Sequence, residues 1–168
     1  VAYLLICSAL TYERSKVWAS DVALWSDTVA RSPQKARGYT HLTYAYVRSH
    51  RCEEAAETAR RVPESVRGTP EFLNIMGHAY ACNKRMPEAI EAFERAVLTS
   101  PNVGYILALA SSYRQAGRFS DAQAAEQQAM RLPPKTPYDL FMLNGLKTAR
   151  EQGTRSRSAL SSRSPGGE

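Results

Sequence analysis

A spacing of 33 or 34 residues runs through the middle of this chain and constrains its fold more than any other feature. The clearest copy lies in "LNIMGHAYACNKRMPEAIEAFERAVLTSP", where Leu73, Met76, Gly77, Tyr80, Ala89, Phe93, Ala96 and Pro101 stand out. Shifted back by 34 residues, the same frame reads Tyr39, Leu42, Thr43, Tyr46 and Ala55. Shifted forward by 33, it reads Ile106, Leu109, Ala110, Tyr113, Gly117, Phe119, Ala122, Ala129 and Pro134. A repeat of this length marks a stack of supersecondary units, each unable to bury its apolar face alone.

Each unit reads as two antiparallel helices, A and then B. Small residues (Gly77, Ala89, Ala110, Ala122) let backbones approach, and Tyr46, Tyr80, Tyr113 and Phe93 fill the spaces between helices. Pro87 suits the first turn of a B helix, where its missing N–H is no loss. Gly117 is a helix stop and Ser120 the expected N-cap of the next helix. The first unit departs from the frame with Thr43 for Gly, Ala59 for an aromatic and Arg67 for Pro, and the third places Glu126 where an aromatic is expected. Looser packing is therefore expected at both ends than in the middle.

The flanks complete the division. Residues 1–12 are an apolar helix, and 13–35 a junction with an atypical leading helix carrying Trp25. Leu5, Ser8, Ala9 and Tyr12 fall where a degenerate A helix would put them. The units are 36–69, 70–102 and 103–136. Residues 137–152 form an amphipathic capping helix with Leu140, Leu143 and Leu146 inward, and the Ser-, Arg- and Gly-rich 153–168 is expected to be a disordered tail.

The frame of Leu73, Met76-Gly77, Tyr80, Ala89, Phe93 and Pro101 resembles the large-residue, Leu-Gly, Tyr, Ala, Phe and Pro pattern of the tetratricopeptide-repeat (TPR) superfamily. That resemblance implies an all-α, right-handed α-α superhelix of about three repeats, with the atypical leading pair and the C-terminal cap. A narrower one rests on "YERSKVWASDVALWSDTVARSPQKARGYTHL". An apolar helix end, Tyr-x-Arg, Trp, Leu-Trp, Ser-Pro and Arg are similar to the membrane junction of the transmembrane and tetratricopeptide-repeat O-mannosyltransferases and their bacterial relatives. It implies that glycosyltransferase chemistry lies in a membrane part, that this chain is a C-terminal piece without catalytic residues, and that the repeats face the non-cytoplasmic side. It also implies a membrane tether through sequence before residue 1. The opening "VAYLLICSAL" would span about 15 Å as a helix, roughly half a bilayer core. Arg14 and Lys16 beside it favour the cytoplasm instead by the positive-inside rule, but two charges weigh less than the resemblance.

Sites of chemistry are sparse. No GxSxG, phosphate-binding loop or GxGxxG occurs. His78 and Cys82 share one helical face, but a zinc site needs four ligands, or three and water. His41, His50 and Cys52 belong to the preceding unit, and no Asn or Asp is placed to orient a Cys–His nucleophile. Glu53, Glu54, Glu88 and Glu91 open B helices, where they complement the dipole. Trp18 and Trp25 read as core residues, or as interfacial anchors if a membrane is near. The three cysteines, an odd count without CxxC spacing, do not read as a disulfide framework. The net charge of +6 lies partly in the tail and does not demand nucleic acid, and no nucleic-acid partner is expected. No cofactor, metal or catalytic activity is expected.

The concave positions of the A helices are the remaining candidate. They read Arg37, Thr40, Tyr44 and Arg48 in the first unit, Glu71, Asn74, His78 and Cys82 in the second, and Leu107, Ser111, Arg114 and Gln115 in the third. Only Asn74 and scattered arginines compare with the carboxylate clamp of some TPR domains, so a chaperone C-terminus is not the expected ligand. The expectation is a non-catalytic scaffold for a protein or peptide, extended and acidic, with one apolar anchor. The alternative is the acceptor-binding portion of a membrane transferase.

Overall fold

The structure, a computed structural model, describes residues 2–161, less the side chains of residues 2, 4, 5, 13 and 154–161. Among the described residues the fold is all-α: α1 (Ala2–Ser15), α2 (Asp21–Arg31), α3 (Ala36–Arg48), α4 (Cys52–Arg60), α5 (Pro70–Cys82), α6 (Met86–Thr99), α7 (Val103–Gln115), α8 (Phe119–Arg131) and α9 (Pro137–Ser161). Two single 3₁₀ turns, Lys16–Trp18 and Glu64–Val66, join them. Four described helices start on side-chain caps: Ser20, Thr69, Asn102 and Thr136 accept the backbone N–H of Ala23, Phe72, Tyr105 and Asp139. Ser120 does not cap α8, which begins one residue earlier, at Phe119.

One turn is built three times. Its tight residue is left-handed, with φ of 56° at His50, 58° at Lys84 and 77° at Gly117. The next residue is always arginine, and its N–H donates to the carbonyl of a tyrosine five residues back: Arg51 to Tyr46, Arg85 to Tyr80 and Arg118 to Tyr113, at 2.9, 3.0 and 2.8 Å. Each guanidinium lies over that tyrosine's ring, 4.7, 4.9 and 4.4 Å from its centroid. It also pairs with the acid three residues on, Glu54, Glu88 or Asp121. The pattern Tyr-x4-Arg-x2-acid is plain in the sequence, and no expectation drew on it.

The chain forms two compact units, Val1–Ser100 and Pro101–Glu168. In the first, α3 packs on α2 and α4, α5 on α6, and α5 also on α3 and α4. Val29, Tyr39, Leu42 and Val62 form one core with Trp25 and Phe72 beside it; Ala55, Ala59 and Ala79 form another. Ala59 and Thr43 are fully buried, so the first repeat closes tightly with small residues where looser packing was expected. Thr43 meets its own polar need by donating to the Tyr39 carbonyl at 2.8 Å. Helix α4 has only nine residues, against fourteen in α6. Arg67, in the place of the expected proline, satisfies the end of α4 by donating to the carbonyls of Arg60 and Val62, both at 3.1 Å.

Helix α1 packs on the Lys16–Trp18 turn. It does not make a closed A helix: Tyr12 is exposed, as are Tyr3, Ile6 and Leu10. Trp18 is also exposed, against the expectation of a core residue, because it stands in the 3₁₀ turn; Trp25, on α2, does reach the core. Leu5 lies among the residues whose side chains are not described.

In the second unit, α7 packs on α8, and α9 on both. Leu143 is buried and Leu146 half-buried, but Leu140 is exposed. The start of α9 is set by a reciprocal cap in which Asp139 accepts the N–H of Lys135 and Thr136, and Thr136 Oγ1 accepts the N–H of Asp139. Leu140 stands in the first turn of α9, where Tyr138 and Phe141 beside it are exposed as well. The helix runs to Ser161, past the boundary expected at 152. No proline interrupts it before Pro165, and its alanine, leucine and arginines tolerate helix. The rest of the expected tail, 162–168, lies outside the described residues.

Candidate binding site

The first unit gathers three of the expected site residues. Tyr44 on α3 faces Asn74 and His78 on α5. The Asn74 amide Nδ2 donates to the Tyr44 hydroxyl. Its Oδ1 is buried without a hydrogen-bond partner. The His78 ring lies 5.2 Å from Tyr44 and meets Phe93 edge-on at 5.0 Å. Burial pushes its imidazole down to about 4, so it is neutral at ordinary pH.

The other residues of this unit surround that cluster unevenly. Arg37 and Glu71 are exposed, and Thr40 donates to the Ala36 carbonyl at 3.1 Å. Arg48 is exposed but paired with Asp21 at 3.2 Å. His41, absent from the expected site, stacks on Trp25 with centroids 4.1 Å apart. Burial first, and the Arg37 charge second, hold its imidazole below the usual range. The signal was there in a Trp and a His on neighbouring helices, but the stacking depends on how α2 and α3 are rotated.

Cys82 is not a groove thiol. It forms a disulfide with Cys52, Cα–Cα 5.3 Å, joining the end of α5 to the start of α4. The reading of no disulfide is thereby corrected. Adjacent antiparallel helices bring one helix's end beside the other's start, whatever the separation in sequence, and the odd cysteine is Cys7 on α1. Asn83 reinforces the junction by donating to the Cys52 carbonyl at 2.7 Å and the Ala79 carbonyl at 2.9 Å. The His78–Cys82 pair therefore offers neither nucleophile nor thiolate ligand. No described group of three His, Cys, Asp or Glu side chains is placed to hold a metal.

In the second unit, Leu107 is half-buried, and Ser111 and Gln115 are exposed and hydrogen-bonded at 3.4 Å. Arg114 pairs with Glu126. Glu126 is only 5% exposed, so the B-helix position that takes Phe93 in the preceding repeat here holds a buried carboxylate.

These repeated helix pairs have counterparts among solved structures, although no family model matches the chain. The chain is similar to TTC0263, a thermophilic TPR protein of Thermus thermophilus, with TM-score 0.65 and 21% identity over 74% of this chain and 70% of that one. It is similar to MamA AMB-1, with TM-score 0.53 and 26% identity over 64% of each chain. It is also similar to MamA from Desulfovibrio magneticus RS-1, with TM-score 0.58 and 15% identity over 77% of this chain and 70% of that one. The fold is that of tetratricopeptide-repeat proteins. None of these similarities bears on the narrower resemblance to membrane transferases.

Proposed function

We propose that the chain is a non-catalytic module that holds an extended protein or peptide segment against the faces of its A helices. The observation that carries this reading is the Tyr44–Asn74–His78 cluster. Asn74 is itself buried and holds the Tyr44 hydroxyl from behind, so the part of the cluster that a ligand meets is the half-buried Tyr44 and His78 rings. The Tyr44 ring supplies a flat apolar contact. Arg37 and Arg48 favour acidic residues in the segment. The Arg48–Asp21 pair is an exposed one, of the kind worth about 0–1 kcal/mol, so a ligand carboxylate can replace Asp21.

The proposal includes a compartment. The Cys52–Cys82 disulfide supports an oxidising, non-cytoplasmic setting. The exposed Tyr3, Ile6, Leu10, Tyr12 and Trp18, with Arg14 and Lys16 among them, support a membrane surface near α1. No described helix is long and apolar enough to cross a membrane. In that setting the acceptor of a membrane transferase is an alternative ligand for the same face.

The test is capture of partners by a photo-crosslinker placed at Glu71, exposed on the facing helix α5. Arg37→Glu with Arg48→Glu weakens capture and flattens its salt dependence, and Tyr44→Ala weakens it at every salt concentration, with helicity unchanged. A partner that is indifferent to these changes and follows residues 153–168 would remove the site from these helices. Intact-mass analysis of alkylated but unreduced protein from its own host tests the compartment, since two free thiols at Cys52 and Cys82 would exclude it.

A further inference from the structure

In the second unit, α7, α8 and α9 enclose an open cavity of about 300 Å³. Its apolar walls are Leu107, Phe141, Met142 and Leu146, and its polar side is Arg114 with Glu126. The cavity has a cause in the repeat. In the preceding helix pair the Phe93 ring fills the space over Gly77. Here Ala110 and Glu126 occupy the matching positions, and the Glu126 carboxylate turns to Arg114. From α9, Gly145 lines the cavity and adds no side chain to fill it.

We propose that this cavity is an anchor pocket for one large apolar side chain of a partner-protein segment, with Arg114 taking a carboxylate next to that side chain. The proposal rests on the peptide-binding reading above and names the anchor within it. Size decides the first half. A cavity of about 150 Å³ lined by apolar residues accommodates benzene, so this one takes a phenylalanine, leucine or methionine side chain with its stem. Exposure agrees: Phe141 stands 72% exposed at the cavity, and an occupant would remove apolar surface from water. Charge decides the second half. Glu126 is buried and needs its partner, yet the Arg114 side chain is 55% exposed, which leaves guanidinium N–H groups facing solvent for a second carboxylate.

The probe is an acetylated, amidated seven-residue peptide with one central phenylalanine flanked by aspartates, compared with the same peptide carrying alanine at its centre. Titration of the full chain, followed by amide chemical shifts, should give binding about 10- to 100-fold tighter for the phenylalanine peptide, with shifts centred on Gly145 and Leu146. Gly145→Leu should plug the pocket. A Cβ added there meets nothing within 4 Å, and leucine is a better helix former than glycine, so this variant should melt no lower than the parent while losing the preference for phenylalanine. Equal binding of the two peptides, or a preference that survives Gly145→Leu, overturns the pocket. A self-association of the parent that Gly145→Leu dissolves also overturns it, because the occupant is then a second copy. Tyr44→Ala, which tests the broader reading, should leave the phenylalanine preference intact; its loss there counts against the pocket, whereas partner capture that needs Tyr44 but survives Gly145→Leu leaves the broader reading standing without it.

Discussion

Three residues show how much single positions decide. A Cβ on Gly77 would lie 2.6 Å from Cε1 and 2.7 Å from Cδ1 of Phe93, whose ring is itself buried. Gly77→Ala is therefore expected to destabilise by about 1–3 kcal/mol in a denaturant melt, and Phe93→Leu in the same chain should return part of that loss. Lys84 holds a left-handed φ of 58° at the turn position where the third repeat has Gly117. Its side chain is exposed, so Lys84→Gly relieves backbone strain without losing packing, and a gain of about 0.5–1 kcal/mol is expected from the same measurement. His78 links stability to acid. Its imidazole titrates near 6.5 in the unfolded chain and at about 4 in the fold. The folded state holds the neutral ring, so its contribution is complete above pH 6.5 and is lost as the pH falls from 6.5 toward 4, where only the unfolded chain binds the proton. The melting temperature of the parent should fall across that window more steeply than that of His78→Gln, and parallel curves would mean that the ring is solvated.

At the scale of elements, the B helices carry the variation. α4 is cut short and closed by Arg67, while α8 keeps its length but replaces an aromatic with Glu126. A buried carboxylate that loses its cation is strongly destabilised, less so where water can reach the site. Arg114 is half exposed, so Arg114→Met is expected to cost about 2 kcal/mol rather than the larger values of closed sites. Arg114→Met with Glu126→Phe restores the aromatic of the preceding repeat and should recover that loss. If the double variant is no more stable than the single one, the carboxylate serves packing in some way other than through its pairing with Arg114.

At the scale of the molecule, the Cys52–Cys82 bridge closes a loop of 30 residues that spans α4, the linker and α5. Closing a loop of that size is worth about 3.6 kcal/mol in the chain-entropy account. Reduction should lower the stability of the first unit by that order and speed amide exchange in α4 and α5. Amides of α7 and α8 report on the second unit by comparison. Unchanged exchange in α4 and α5 after reduction would mean that the apolar contacts of Ala55, Ala59 and Ala79 already hold these helices without the bridge.

Much of the fold was legible because its rules are local. The 33–34-residue spacing, the turn glycine at 117, the first-turn Pro87 and the small residue at Gly77 each express a helix period, a cap or a close approach that a few neighbouring residues dictate. Which residues share a side of one helix, such as Asn74 and His78, was legible for the same reason, since residues four apart do so. What those residues meet was not. The union of Cys52 with Cys82, the exposure of Trp18 and Leu140, the unpartnered oxygen of Asn74 and the cavity beside Glu126 all depend on how one helix is rotated and offset against the next. A sequence period specifies which side of a helix is apolar to within a residue or so. The distance and rotation between helices come from the summed packing of side chains far apart in the chain, and only the tertiary structure contains that sum.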